Sequence, residues 1–208
     1  MMTIRTLCLG ALDTNCYVVW DHNHIAMVID PADEAERILA LIAEENLTVS
    51  AIVLTHAHFD HLLAAQDVCA VTGAPLYVGK QDELALEDPI RNLSDVFQMC
   101  PPECLQADKT LGEGDSLAIG ELSFRILETP GHTPGCICLL SDKVLFSGDT
   151  LFRDSVGRVD FPGSDVTAMV ASLRRLASLP AETKVYSGHG PATTIRRETE
   201  CNPYLQRI

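Results

Sequence analysis

The sequence has no apolar run long enough to span a bilayer. Its continuous apolar stretches, such as residues 51–54, are the length of a strand. It is also short of positive charge: 15 Lys and Arg stand against 29 Asp and Glu, a formal net charge of −14. So acidic a chain is ill suited to tracking a phosphate backbone or an anionic membrane. Neither nucleic acid nor membrane is therefore expected as a partner. Residues 1–16 contain no sustained apolar segment of the signal-peptide kind, so a cytoplasmic, reducing location is expected. No internal repeat, low-complexity tract or Gly/Pro/Ser-rich linker divides the chain, and a single domain over 1–208 is expected. Hydrophobic residues make up 47 % and charged residues 21 %. These are ordinary globular proportions, which exclude a disordered tail, a collagen-like repeat and a coiled coil. A core of this size needs no disulfide staples. No sequence feature specifies an oligomeric state.

Cysteine, by contrast, is plentiful, with 8 in the chain. Cys8, Cys16, Cys69, Cys136 and Cys138 lie in apolar segments and are read as buried thiols. Cys100 and Cys104 flank Pro101-Pro102-Glu103; a lone C-x3-C pair is too weak a signal to read as a metal site.

Strand-like and helix-like segments alternate throughout. Residues 17–20 and 25–29 read as strands around the polar turn Asp21-His22-Asn23-His24. Residues 34–45 read as an amphipathic helix with Ile38, Leu41 and Ile42 on one face. Residues 51–54 read as a strand buried on both faces. A helix is expected over 61–71, closed by Gly73, and a strand over 76–78. Residues 80–110, which include Pro89, Pro101 and Pro102, read as a short helix and a surface excursion. Hairpins are expected at 117–119 with 122–127 and at 137–140 with 144–146. A helix over 166–179 has Ser164 or Asp165 as its cap. A strand over 185–187 and a helix over 195–206 complete the chain. Sheet layers covered by helices, an α/β (α+β) class, follow from this order.

The chemistry lies in the histidines. Three of the 7 fall in Thr55-His56-Ala57-His58-Phe59-Asp60-His61. His132 lies in Thr129-Pro130-Gly131-His132-Thr133-Pro134-Gly135, Asp149 in Ser147-Gly148-Asp149-Thr150, and His189 in Ser187-Gly188-His189-Gly190-Pro191. His56, His132, Asp149 and His189 each follow an apolar strand in a turn rich in Gly or Pro. Strand ends share one edge of a layer, so these side chains are able to converge. Neutral imidazole and carboxylate are the usual ligands of Zn²⁺ and of non-haem iron or manganese. His56 and His58, two apart in extended chain, point the same way. Asp60 and His61 stand at a helix entry, where Asp60 serves equally well as an N-cap. Five imidazoles and two carboxylates are too many for one tetrahedral metal but suit two metals that share a carboxylate. The expected cofactors are thus two divalent ions, zinc first, with iron or manganese as alternatives. His22 and His24 are read as ordinary turn residues.

With these residues quoted, the chain resembles the metallo-β-lactamase superfamily from Asp30 to His189 at least. Its metal motifs are matched in order by His56-x-His58-x-Asp60-His61, His132, Asp149 and His189. Asp30 matches an Asp that often precedes them. The resemblance implies an αββα sandwich with the metals at one edge. It assigns His56, His58 and His132 to one ion and Asp60, His61 and His189 to the other, with Asp149 bridging. Within the superfamily, Ser147–Phe152, Thr129–Gly135, Gly157-Arg158-Val159-Asp160-Phe161-Pro162-Gly163 and Gly188-His189-Gly190-Pro191…Glu198…Asn202-Pro203 resemble short glyoxalase II-like hydrolases. That likeness implies hydrolysis of an anionic thioester such as S-D-lactoylglutathione by a metal-bridging hydroxide, with Asp60 and Asp149 as catalytic residues. Arg153 and Arg158 are expected to hold substrate anions; surface pairing with Asp154 and Asp160 is the competing role. True glyoxalase II has a helical C-terminal domain that holds glutathione and an aromatic residue soon after the last His. This sequence ends at Ile208 and has Gly190-Pro191 there, so a more open cleft is expected. The Gly-Arg-x-Asp stretch also resembles persulfide dioxygenases, whose single iron would keep His56, His132 and Asp149. A phosphodiesterase on the same fold is a further alternative, and a non-enzymatic metal module the last.

Overall fold

The apolar run at 51–54 shows how the layers are built. In the computed structural model, which describes residues 1–99 and 105–208, Thr48–Val53 is a strand (β4). Successive strand residues point to opposite faces. Ile52, and Leu54 just beyond the strand, join a core with Val18, Val28, Ile38 and Val68. Ala51 and Val53 join another with Met27, Ile29, Phe124 and Ile126. The strand is buried on both sides, as its unbroken apolar run predicts.

The first sheet comprises β1 (Thr3–Leu9), β2 (Thr14–Trp20), β3 (Ile25–Ile29), β4, β5 (Leu76–Gly79) and β6 (Lys109–Leu111), in that spatial order. β1, β2 and β3 pair antiparallel, and β3 to β6 parallel. The second sheet contains β7 (Ser116–Ile119), β8 (Leu122–Glu128), β9 (Ile137–Ser141), β10 (Val144–Gly148), β13 (Lys184–Ser187) and β14 (Thr193–Thr194), ordered β14-β13-β10-β9-β8-β7. A small hairpin of β11 (Leu151–Phe152) and β12 (Ser155–Val156) follows β10. Helices α1 (Ala35–Glu44) and α2 (Ala65–Thr72) cover the first sheet, contributing Ile38, Ile42, Ala65 and Val68 to its outer core. Helices α4 (Val166–Ala177) and α5 (Ile195–Cys201) cover the second, through Met169, Leu173, Leu176 and Ile195. Between the sheets lie fully buried Phe124 and Phe146; burying such a side chain contributes about 1.5–3 kcal/mol. The result is the expected αββα sandwich. A short helix, α3 (Ser94–Phe97), stands apart from these layers.

Several local expectations are corrected. Strand β1 was not foreseen: its burial alternates only weakly, and it is held by a seven-residue register with β2. Strand β6 lies within the stretch read as irregular. The helix expected from His61 forms instead as a 3₁₀ turn, Phe59–His61, followed by α2 from Ala65. Gly73 does close it, in the left-handed conformation at φ 68°. The last helix stops at Cys201, because Asn202 precedes Pro203 and is driven to extended backbone. Asp165 caps α4, accepting from the Ala168 N–H at 2.9 Å. Cys16, Cys136 and Cys138 are buried as expected, whereas Cys8 is exposed and Cys69 half-buried; all described cysteines are free. Cys100 and Cys104 lie outside the described residues. Among the described residues, no helix is long and apolar enough to cross a membrane.

Candidate metal centre

The turns after β4, β8, β10 and β13 open at one edge of the sandwich and bring the seven predicted ligands together. His56, His58 and His132 present ring nitrogens within 4.8 Å of one another, as do the ligand atoms of Asp60, His61 and His189. His56, His61 and Asp149 form a third such group, which joins the first two. Asp149 is central: its Oδ2 lies 3.5 Å from both His132 Nε2 and His189 Nε2, and its Oδ1 3.5 Å from His61 Nε2. Asp60 is not an N-cap. It sits inside the 3₁₀ turn, with Oδ2 3.3 Å from His189 Nε2 and accepting from Thr14 Oγ1 at 2.9 Å.

Whether these residues fit a metal is decided by their unsatisfied atoms. His56 Nε2, His58 Nε2, His61 Nε2 and Asp149 Oδ1 are buried with no hydrogen-bond partner, a costly state for polar atoms. His58 Nδ1 and His132 Nε2 lie only 2.8 Å apart. The rings of His56 lie 4.1 Å from those of His61 and 4.9 Å from those of His132. The opposite ring nitrogens of His132 and His189, however, are held from outside. His132 Nδ1 donates to the Arg158 carbonyl at 2.8 Å, and His189 Nδ1 to that of Leu12 at 3.1 Å. His61 Nδ1 faces Asp30 Oδ2 at 3.0 Å. Such outer contacts fix the tautomer and aim the free nitrogen at a cation. The cluster is able to bind metal.

Electrostatics divide it into two parts. Burial lowers the pKa of His58 to about 3, reinforced by His132. Burial, with His61 and His58 next, also holds His56 well below its usual value. Both are neutral imidazoles, the ligand form. At His61 burial is outweighed by Asp60, Asp30 and Asp149, and the pKa rises to about 9. At His189 burial is outweighed by hydrogen bonds to Asp149 and Asp60, and it rises to about 11. Burial would raise Asp60 and Asp149, but His61 and His189 keep both below the usual carboxylate range. In this second part the carboxylates favour positive charge, which a divalent ion would supply.

Supporting residues come from far along the chain. Asp30, in the left-handed conformation at φ 51°, accepts from Thr55 N at 2.7 Å and Thr55 Oγ1 at 2.8 Å. Asp82 went unrecognised in the sequence, inside a stretch read as irregular. Its buried carboxylate accepts from Ala57 N at 3.1 Å, Thr133 Oγ1 at 2.7 Å and Gly135 N at 2.7 Å. It thereby ties the His56–His58 loop to the His132 loop. Gly135 is required for this approach, since a Cβ there would clash with the Asp82 backbone nitrogen. Asn15 Nδ2 donates to the carbonyls of Ser187 and Gly190 at 2.9 and 2.8 Å, and Tyr17 Oη to that of Ser187 at 2.6 Å. These bonds seat the His189 turn on β2. No local motif marks Asn15, Tyr17 or Asp82.

The two predicted substrate arginines separate. Arg158 lines the cleft of about 260 Å³ above the cluster. It is paired with Asp160 through two bonds of 2.9 and 2.8 Å and stacks 4.3 Å over Phe161. Arg153 is not brought to this cleft. It borders another depression with Lys184 and Arg197, 3.8 Å from Asp154. His22 and His24 stand apart from the cluster, near Glu121 and the Glu45 carbonyl.

A sandwich of this kind with a His/Asp cluster at its edge defines a metal-dependent hydrolase. Residues 9–189 match the Metallo-beta-lactamase superfamily, and the chain belongs to that superfamily. It is 34 % identical to the hydroxyacylglutathione hydrolase GloC of Haemophilus influenzae, over 98 % of both chains. Among solved structures, the BLEG-1 B3 metallo-beta-lactamase superimposes with a TM-score of 0.94 at 40 % identity, covering 98 % of this chain and 99 % of that one. TTHA1623 in a di-iron-bound form gives 0.88 at 40 %, covering 97 % and 100 %. ETHE1 from Myxococcus xanthus gives 0.82 at 30 %, covering 98 % and 84 %.

Proposed function

We propose that this chain hydrolyses a thioester, of the S-D-lactoylglutathione class, with two divalent metal ions, zinc foremost. The observation that carries the reading is the pair of ligand sets around one carboxylate: His56, His58 and His132 on one side of Asp149, and Asp60, His61 and His189 on the other. When bound, the two ions supply a water activated at neutral pH and stabilise charge on the acyl oxygen. Asp60, anchored by Thr14, holds Oδ2 at the cleft and orients a water proton. A thiolate leaves without a protein acid, so no further acid is required. Arg158 stands at the cleft to meet a substrate carboxylate; that carboxylate competes with Asp160 for the guanidinium. The likeness to GloC supports the thioester, and the di-iron relative supports two ions while leaving iron as an alternative to zinc.

The likeness to ETHE1 favours the second reading, a persulfide dioxygenase with one iron. Against it stands the convergence of Asp60, His61 and His189 on Asp149, a full second set of ligand atoms that a single-iron site would use only as outer support. Metal quantification on protein purified without added metal, with a thioester assay and an oxygen-uptake assay, separates the two. Two metal equivalents with thioester turnover are expected. One tightly held iron with oxygen uptake overturns the proposal.

A further inference from the structure

The ligands form only the floor of the cleft; its walls are of another kind. The chain is poor in aromatics, at 5 %, with 6 phenylalanines in all. Four of the 6 line this cleft: Phe59, Phe97, Phe152 and Phe161. The other two, Phe124 and Phe146, fill the core between the sheets. The rings flank the ligands on both sides. Phe161 lies 5.8 Å from the His58 ring and 6.1 Å from the His132 ring, while Phe152 lies 5.9 Å from the His189 ring. Phe97 packs 5.1 Å from buried Phe59, yet remains 41 % exposed; Leu12, also in the lining, is 43 % exposed. Among the described residues, Arg158 is the one charged side chain of the lining that is not a predicted ligand, and Asp160 neutralises it.

This distribution is unexpected for a small hydroxylated acyl group. Such a group offers hydrogen bonds, and these walls have few partners for them. Aromatic walls left uncovered beside a reaction centre are instead complementary to a ring or a bulky hydrocarbon. Building on the thioester reading, we infer that the cleft selects thioesters with an aromatic or bulky apolar group beside the scissile bond. Phe97 and Phe161 are the residues that impose this choice. The apolar group belongs either to the acyl part or to the thiol, and the arms of the test distinguish the two.

The test uses the zinc-loaded full chain. Binding of S-benzylglutathione and S-methylglutathione, thioethers that cannot be hydrolysed, is measured by calorimetry. In parallel, kcat/KM is measured for S-D-lactoylglutathione, S-phenylacetylglutathione and the lactoyl thioester of benzyl mercaptan. With the ring on the acyl side, the benzyl thioether is expected to bind about tenfold tighter or more than the methyl one and phenylacetylglutathione to exceed lactoylglutathione by a similar factor; with the ring on the thiol side, the lactoyl thioester of benzyl mercaptan is expected to exceed lactoylglutathione by that factor instead. The arm that gains identifies the side. Phe97→Ala and Phe161→Ala should each reduce the advantage to about twofold, and Phe97→Leu should keep most of it. Phe97 is exposed enough for truncation to leave the fold intact, and the Leu variant controls for shape. If the two thioethers bind alike and the three thioesters turn over within about twofold of one another, the apolar selection is wrong while the thioester reading stands. If no thioester is hydrolysed but the benzyl group still binds tighter through Phe97 and Phe161, the selection stands and the thioester reading falls.

Discussion

The two halves of the ligand cluster differ in how they are kept ready for a cation. His56, His58 and His132 are desolvated imidazoles packed edge to face, with ring centroids 4.8 Å apart for His56–His58 and 4.5 Å for His58–His132. Asp60, His61 and His189 form a charge-paired set, and His189 is 28 % exposed. Both halves leave buried nitrogen unsatisfied, His56 and His58 in the first and His61 in the second, but only the second pairs its imidazoles with carboxylates and opens to water at His189. Buried imidazole nitrogens that lack any other partner, as at His56 and His58, gain most from a cation. An ion-paired site already has partners and gains less. The first half should therefore hold its ion more tightly.

The largest effect should come from the residue that belongs to both halves. Asp149→Ala should lower turnover about a thousandfold or more and reduce metal content in both, read by metal quantification beside the thioester assay. A variant that keeps two ions and a near-parental rate shows that the carboxylate is not shared. Next in size, Asp82→Ala leaves Ala57 N, Thr133 Oγ1 and Gly135 N without their acceptor. It should weaken the tighter ion by about 10–100-fold, the usual cost of losing an outer support, and lower stability by about 1–3 kcal/mol. Competition with a chelator and denaturant unfolding measure the two separately; unchanged metal affinity would mean that the loops keep their spacing without the clamp.

The contrast itself is sharpened by removing metal in steps. Chelator dialysis should withdraw the ion of the Asp60–His61–His189 set first, and His189→Ala should lose one equivalent while retaining the other. Loss of both ions together would erase the distinction between the halves. The smallest effect concerns Arg158. Arg158→Ala should raise KM by severalfold on a glutathione thioester, with little change in kcat, as when uniform binding is lost. Steady-state kinetics on an uncharged thioester provide the comparison, and equal effects on both substrates assign Arg158 to its pair with Asp160.

The two halves also differed in how plainly the sequence announced them. His56, His58, Asp60 and His61 fall within six positions, so one short segment revealed most of both sets. His132, Asp149 and His189 were legible for a different reason: each follows an apolar strand and sits in a Gly- or Pro-bounded turn. That pattern is local, and strand ends in a layered sheet share an edge whatever the detailed register. Where expectations failed, the cause was distance along the chain or weak periodicity. Strand β1 is barely amphipathic and exists through its pairing with β2. Arg153 and Arg158 look alike as sequence, and only the course of the β11–β12 hairpin sends them to different depressions.

What the sequence determined by itself was therefore which His and Asp side chains gather in one cluster, the layered class of the fold and the edge on which they meet. All of these rest on side-chain chemistry and short-range periodicity. Tertiary structure alone decided what holds and surrounds them. The Asp82 bond to Gly135 spans 53 positions, and that of Asn15 to Ser187 spans 172. The four phenylalanines of the cleft come from Phe59, α3, β11 and the Phe161 loop, segments with no sequence relation to one another. Contacts of this kind arise only when the sheets pack face to face, because no local propensity encodes which distant loop will lie opposite. The clustered His and Asp residues could thus be read from the chain, whereas the clamp behind them and the aromatic walls above them had to be seen in the folded molecule.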